Sequence, residues 1–172
     1  NLEYFEFIVM DNRVKMREPI SPSDKIVIIG ITENSILELG GWPLARRKYA
    51  ELIEKLKNSG AIVAGVDIVF ENPGKPDEDK YLAETLKSMP TVLPVVHEKR
   101  LEIIDSEISD NLIDVIKKPS PSIITKGQKF GFINTAYENS NVDGILRSLP
   151  LKIDVNGKIH ESFAVSCIRA YL

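Results

Sequence analysis

The 172 residues are 43% hydrophobic and 27% charged with a net charge of −3, the balance of an ordinary globular domain able to bury its own core. The acidic balance excludes the basic surface that nucleic acid requires, and no apolar run reaches the ~20 residues of a membrane-spanning helix. One cysteine and two histidines allow no intrachain disulfide and no zinc spacing. No cofactor, no metal and no nucleic-acid partner are therefore expected.

The first element is a helical stem over residues 1–18. Leu2, Phe5, Val9, Asn12 and Met16 recur at steps of three and four, an a/d seam with one polar position. Tyr4, Phe7 and Ile8 widen that face. The plainer reading is a helix lying on its own core; the other is a homodimer seam through Leu2, Phe5 and Val9. Pro19 and Pro22 end the helix.

"KIVIIGIT", Lys25–Thr32, is continuously apolar and β-branched, the pattern of a strand covered on both faces. "GGWPLARR" then leads into a helix whose stripe is Tyr49, Leu52, Ile53 and Leu56, with Gly60 as its stop. "IVAGVDIVF" reads as a second buried strand. "PDEDKYLAETLKSM" reads as a second helix, capped by Asp77 or Asp79, and "TVLPVVH" as a third strand with Pro94 marking an edge or bulge. These elements predict a parallel βαβαβ core.

A short helix is expected around "DSEISDNLIDVIKK", then a Pro/Ser-rich loop and strands at "FGFINTA" and "ILRSLPLKIDV", separated by the turn-rich "YENSNVDG". The Asn-Gly of "VNGK" predicts a two-residue hairpin into "KIHE". Ser162 caps a final helix over residues 160–172 in which Phe163, Cys167 and Ala170 share a face, making Cys167 a buried small hydrophobe. The fold class is thus α/β: a mixed sheet with a parallel βαβαβ core and an antiparallel extension, flanked by helices, in one domain spanning 1–172. Both ends fall inside helical patterns, so the chain is expected to be a piece of a longer protein.

No glycine-rich phosphate loop, Walker pattern or nucleophile elbow is present. His160 beside the last cap is expected to be exposed. Polar residues do gather where parallel strands end, the usual place for function: Glu33 and Ser35 after the first strand, Asp67 at the second, His97 at the third. An enzyme using Glu33, Asp67 and His97 is one reading. The plainer one is structural: Asp67, within an apolar run, needs a partner, which Arg46 or Arg147 would supply. Trp42 is expected to cover the sheet end. Arg46, a cation at a helix N-terminus against the macrodipole, calls for a specific carboxylate nearby.

Several of these residues, taken in order, carry a resemblance. Asp11, Arg13 and Arg17 fit D-x-R-x-x-x-R at the end of a first helix; "ITENS", "GGWPLAR", "GAIVAGVDIVF", Asp79 with Leu82 and Ala83, "GFIN" and "DGILRSLPL" follow in sequence. The chain resembles the type-two CHASE domain, the extracellular sensory module of bacterial receptors. It departs at Thr32, usually Asp in that family, and at Leu44, where the family has W-P-W. The resemblance implies an extracytoplasmic domain of a cytoplasmic-membrane protein, with flanking spans and a cytoplasmic cyclase or kinase. It also implies a small-molecule or physical stimulus and no catalysis in this domain. Glu33, Ser35, Trp42, Arg46, Asp67, Asp143 and Arg147 are the candidate ligand-binding residues.

Overall fold

The computed structural model describes the backbone of residues 2–104, 107–134 and 145–172 and the side chains of residues 4–101, 112–134 and 145–172. The chain divides into two compact units, Asn1–Gly40 and Gly41–Leu172.

In the first unit, helix α1 runs Leu2–Met16 as its periodicity predicts and gives way before Pro19. Tyr4, Phe5, Ile8, Val9, Val14 and Met16 are exposed. Helix α2 (Glu33–Glu38) starts at Thr32, whose hydroxyl accepts the Ser35 N–H at 3.3 Å and lies 3.0 Å from the Ser35 hydroxyl. This is an N-cap made with a hydroxyl in place of a carboxylate. The expected strand at Lys25–Thr32 is not seen. Residues 26–32 lie outside any helix or strand, and Ile26, Val27 and Ile28 are exposed, Ile28 to 90%. A β-branched run becomes a strand only where a neighbouring edge accepts its hydrogen bonds, and none does so among the described residues.

The second unit begins at cis Trp42–Pro43 and helix α3 (Arg46–Asn58), which buries Tyr49, Ala50 and Ile53 and stops at Gly60, φ +91°. Strand β1 is only Ala64–Gly65. Helix α4 (Pro76–Lys87) has Lys75, not Asp77 or Asp79, at its cap, with Pro76 supplying the preset first turn. Tyr81 of α4 stacks under the Arg47 guanidinium of α3 at 5.2 Å.

Strand β2 (Thr91–Ile104) is the axis of the main sheet. Its first half pairs in parallel with β1 and with β4 (Lys129–Phe132); its second half pairs antiparallel with β3 (Glu107–Lys117). Pro94 takes a place inside this strand for a definable reason. The Val92 carbonyl accepts from Val66 and the Val95 carbonyl from Ile133, so Pro94 turns its missing N–H toward β1. The β1 ladder ends there, at Gly65↔Val92. The side chain of Asn134 prolongs the other edge, its amide exchanging two 2.7 Å bonds with the His97 backbone.

Three further expectations change. Within "DSEISDNLIDVIKK", Glu107–Lys117 forms β3, not a helix: a short apolar run has no decisive period of its own, and pairing with β2 settles it. The start of "FGFINTA" joins the sheet in parallel within β4, so the antiparallel partner of β2 comes from the segment read as helical. "ILRSLPLKIDV" is extended only from Lys152, in β5 (Lys152–Val155), which forms the predicted hairpin with β6 (Lys158–Glu161). Asn156 and Gly157, both at positive φ, make its turn. The described parallel strands β1, β2 and β4 form one βαβ unit with a third strand added, a smaller core than βαβαβ. "YENSNVDG" lies outside the described residues.

Helix α5 (Phe163–Tyr171) is capped by Ser162, as its sequence predicts. It begins directly over β4: Ser166 Oγ donates to the Phe130 carbonyl at 2.9 Å, and a Cβ at Gly131 would collide with the Phe163 backbone. Phe70, Leu82, Leu86, Val92, Leu93, Ile123 and Phe132 form the interior between sheet and helices.

Candidate functional site

The strongest polar constellation centres on Asp79. Its side chain is 3% exposed and that of Arg46 17%. Arg46 Nε donates to Asp79 Oδ1 at 3.2 Å, while the Gly74 N–H at 2.8 Å and the Ser122 hydroxyl at 2.6 Å both donate to Oδ2. A second guanidinium nitrogen of Arg46 donates to the Asn72 carbonyl at 2.6 Å, and the guanidinium lies 4.4 Å over the Phe70 ring. Asp79 is the fourth residue of α4, close enough to its own entry loop to reach back to Gly74. That loop comes near enough only because Gly74 has no side chain: a Cβ there would sit 2.8 Å from Asp79 Oδ1. One carboxylate thus ties together the start of α3, the 70–75 loop, α4 and the 119–125 loop. Ser120 completes the tie, its N–H donating to the Phe70 carbonyl at 2.6 Å.

A cleft of about 370 Å³ opens beside this knot, between α4 and the 119–125 loop. Pro73, Pro76 and Ala83 form its apolar wall, Lys80, Glu84 and Lys87 its charged rim, and Ser122 and Thr125 its far side.

The sequence-predicted residues distribute unevenly. Arg46 is the centre of the knot, and the carboxylate its helix position called for is Asp79. Asp67 is exposed, follows the end of β1, and pairs with no arginine among the described residues; its expected salt bridge is corrected to Arg46–Asp79. Of the apolar run only Ala64–Gly65 forms a strand; Val66 and Phe70 on either side of Asp67 are buried, while Asp67 itself is exposed. Trp42 is 60% exposed and does not cover the sheet end. Arg147 is half-buried in the irregular stretch before β5. Asp143 lies outside the described residues. Glu33 and Ser35 belong to the first unit, where Ser35 takes part in the α2 cap and Glu33 is exposed.

His97 is held by Asp114 of β3, Nε2 to Oδ1 at 2.7 Å, and the Asp114 carbonyl accepts from Asn156 in the hairpin turn at 3.1 Å. His160 is half-buried, not exposed as expected. Burial first, then the charges of Lys158 and Lys118, push its pKa below 6.5, with Asp154 opposing. Cys167 is half-buried against Gly65; burial, and then the charge of Asp67, raise its thiol above 9.0. Among the described residues no three His, Cys, Asp or Glu side chains converge as metal ligands.

Sequence reasoning placed Asp79 in a motif and as a cap but missed it as a buried acid, and missed Ser122 altogether. The usable signal was "NPGKPDED": a glycine close before a proline-started helix lets an acid in the first turns turn back on its own loop.

The CHASE2 domain model matches residues 1–172, the whole chain. The chain belongs to the CHASE2 domain family. That family is sensory and extracytoplasmic, so the CHASE2 chain has a sensing role. No curated protein and no solved structure matches it. Among its described residues no helix is long and apolar enough to cross a membrane.

Proposed function

We propose that this CHASE2 domain is the extracytoplasmic sensing part of a bacterial transmembrane receptor. In this reading it passes a conformational signal through its first and last helices to a cytoplasmic cyclase or kinase, with no chemistry of its own. The observation that carries the reading is the family match over residues 1–172. The geometry supports it with a route: the 119–125 loop, pinned to α4 by Asp79, leads into β4, and β4 is the seat of α5. A stimulus acts only by favouring one of two arrangements, and a tenfold population change needs just ~1.4 kcal/mol of differential binding. Rearranging one charged hydrogen bond supplies that much.

Protease added outside intact spheroplasts should digest the domain in the parent protein, and inverted vesicles should protect it. The opposite pattern overturns the placement. Turnover of a substrate by the purified chain, abolished by Glu33→Gln or Asp67→Asn without unfolding, would replace the sensor with an enzyme.

Self-association through α1 belongs to the same reading. Phe5 and Val9 are exposed on one helical face, and a membrane span on each copy would raise their effective concentration. Sedimentation of the isolated chain at high concentration should show some dimer that Phe5→Lys removes; a strictly monomeric chain argues against the seam.

A further inference from the structure

The cleft beside Asp79 has a chemistry more specific than its shape. We infer that it is the stimulus site, and that its ligand is a small organic anion: a carboxylate on a short apolar body. The inference rests on the sensory reading above and deepens it. A volume of about 370 Å³ lies in the range that holds small organic molecules. Pro73, Pro76 and Ala83, with the methylene stems of Lys80 and Lys87, give the ligand body an apolar wall.

Charge decides the rest. Asp79 reaches the cleft, but the Arg46 guanidinium on one of its oxygens offsets its charge, while Gly74 and Ser122 donate to the other. The remaining charged lining is Lys80, Lys87 and Glu84: two positive against one negative. Lys80 and Lys87, seven residues apart, share one face of α4 about 10 Å apart along the axis. Neither is ion-paired among the described residues, and a lysine four residues before a glutamate is the weaker orientation for a helical pair. On the facing wall, Thr125 bonds only loosely, to Gln128 at 3.5 Å, which leaves its hydroxyl able to turn to a ligand oxygen. A carboxylate held between Lys80 or Lys87 and Thr125 bridges α4 and the 119–125 loop. It therefore loads the Ser122–Asp79 hydrogen bond that already joins these two walls.

The test is titration of the ¹⁵N-labelled chain with acetate, butanoate and benzoate, with benzamide and inorganic phosphate as controls. Benzoate should shift the amides of Gly74, Lys80, Ala83, Ser122 and Thr125 saturably. Benzamide and phosphate should bind at least tenfold more weakly, the first for want of charge and the second for want of an apolar body. Lys80→Gln combined with Lys87→Gln, both on the surface, should weaken benzoate at least tenfold with the spectrum otherwise intact; Ala83→Trp should block it by filling the cleft. Equal binding of benzoate and benzamide overturns the anion assignment. Absence of saturable shifts at these residues with all three carboxylates overturns the site. The protease experiment on the parent protein tests the sensory placement separately, so failure of the anion site and failure of the sensory reading are told apart.

Discussion

Asp67 and Asp79 are the same residue in two regions of one unit, and they meet opposite fates. Asp67 follows a two-residue strand, stays in water, and acts only through its charge. Asp79 is enclosed by three donors fixed by local chain geometry: Gly74 in its own entry loop, Ser122 in a Pro/Ser-rich turn, and Arg46 at a helix start. The difference teaches that the apolar character of neighbouring letters does not bury an acid. Burial requires donors already held in place, because an unpaired carboxylate in the interior is costly.

The largest effect should come from breaking the knot itself. Asp79→Ala leaves the Arg46 charge and the Gly74 N–H without their partner, a loss of about 3–5 kcal/mol. Asp67→Ala should change stability by no more than about 0.5 kcal/mol. Urea unfolding of both variants measures the contrast. Similar values for the two would dissolve the distinction between the regions.

A smaller cut sharpens it. Ser122→Ala removes one donor and leaves Arg46 and Gly74 on the carboxylate, for a loss of about 1.5–3 kcal/mol, the range of a hydrogen bond to a charged group. Thr125→Ala, in the same loop but off the carboxylate, should cost well under half as much. A Ser122→Ala loss as small as that of Thr125→Ala would mean that the loop is held by packing alone.

How much of this was legible turns on the range of the physics involved. Features set within a few residues read correctly: the α1 helix, the α3 stripe, the Gly60 stop, the Asn156-Gly157 turn and the Ser162 cap. Features set by a distant partner did not. Helix α1 does not lay an apolar face on the core, Tyr4, Phe5, Ile8, Val9, Val14 and Met16 being exposed. "KIVIIGIT" carries strand propensity but has no ladder among the described residues. "ISDNLIDVIKK" became a strand because β2 offered it an edge, and Pro94 sits inside a strand because β1 stops beside it. The site divided in the same way. Arg46 was legible as a cation against a helix dipole, which demands a carboxylate. Which carboxylate answered depended on the path of the 70–75 loop, and the two-residue length of β1 removed Asp67 from contention.

Acid should separate buried from surface charge more gently. Unfolded, His160 titrates near 6.5; in the fold, burial, then Lys158, Lys118 and His97, hold it lower, with Asp154 opposing. The folded chain then binds fewer protons than the unfolded one below 6.5. Stability due to this group is present above that pH and is lost as pH falls through the folded pKa. Glu98 and Glu161, held below 4.5 by hydrogen bonds from Arg100 and Arg169, lose their contribution only as pH falls below 4.5. Unfolding free energies measured from pH 7 to 3.5 should therefore decline in two legs. His160→Gln should flatten the upper leg and leave the lower one; an unchanged upper leg would show that burial and the neighbouring lysines do not hold His160 low in the fold.

The smallest effect belongs to Asp67 and completes the contrast. Cys167 lies against Gly65, where an added Cβ would stand 2.9 Å from its sulfur. Burial raises its thiol pKa first and the Asp67 carboxylate second. Only the thiolate reacts with disulfide reagents, so the wild-type thiol should label more slowly than a free cysteine at pH 8. Asp67→Asn removes the weaker of the two causes and leaves burial in place, so labelling should accelerate yet stay slower than that of a free cysteine, as the thiolate fraction dictates. The acceleration should shrink in ~1 M salt, where charges are screened within about 3 Å, while the slow baseline persists. An acceleration that survives high salt would mean that Asp67→Asn has opened the packing around Cys167. Asp67 would then hold structure, as Asp79 does, and would not act by charge alone.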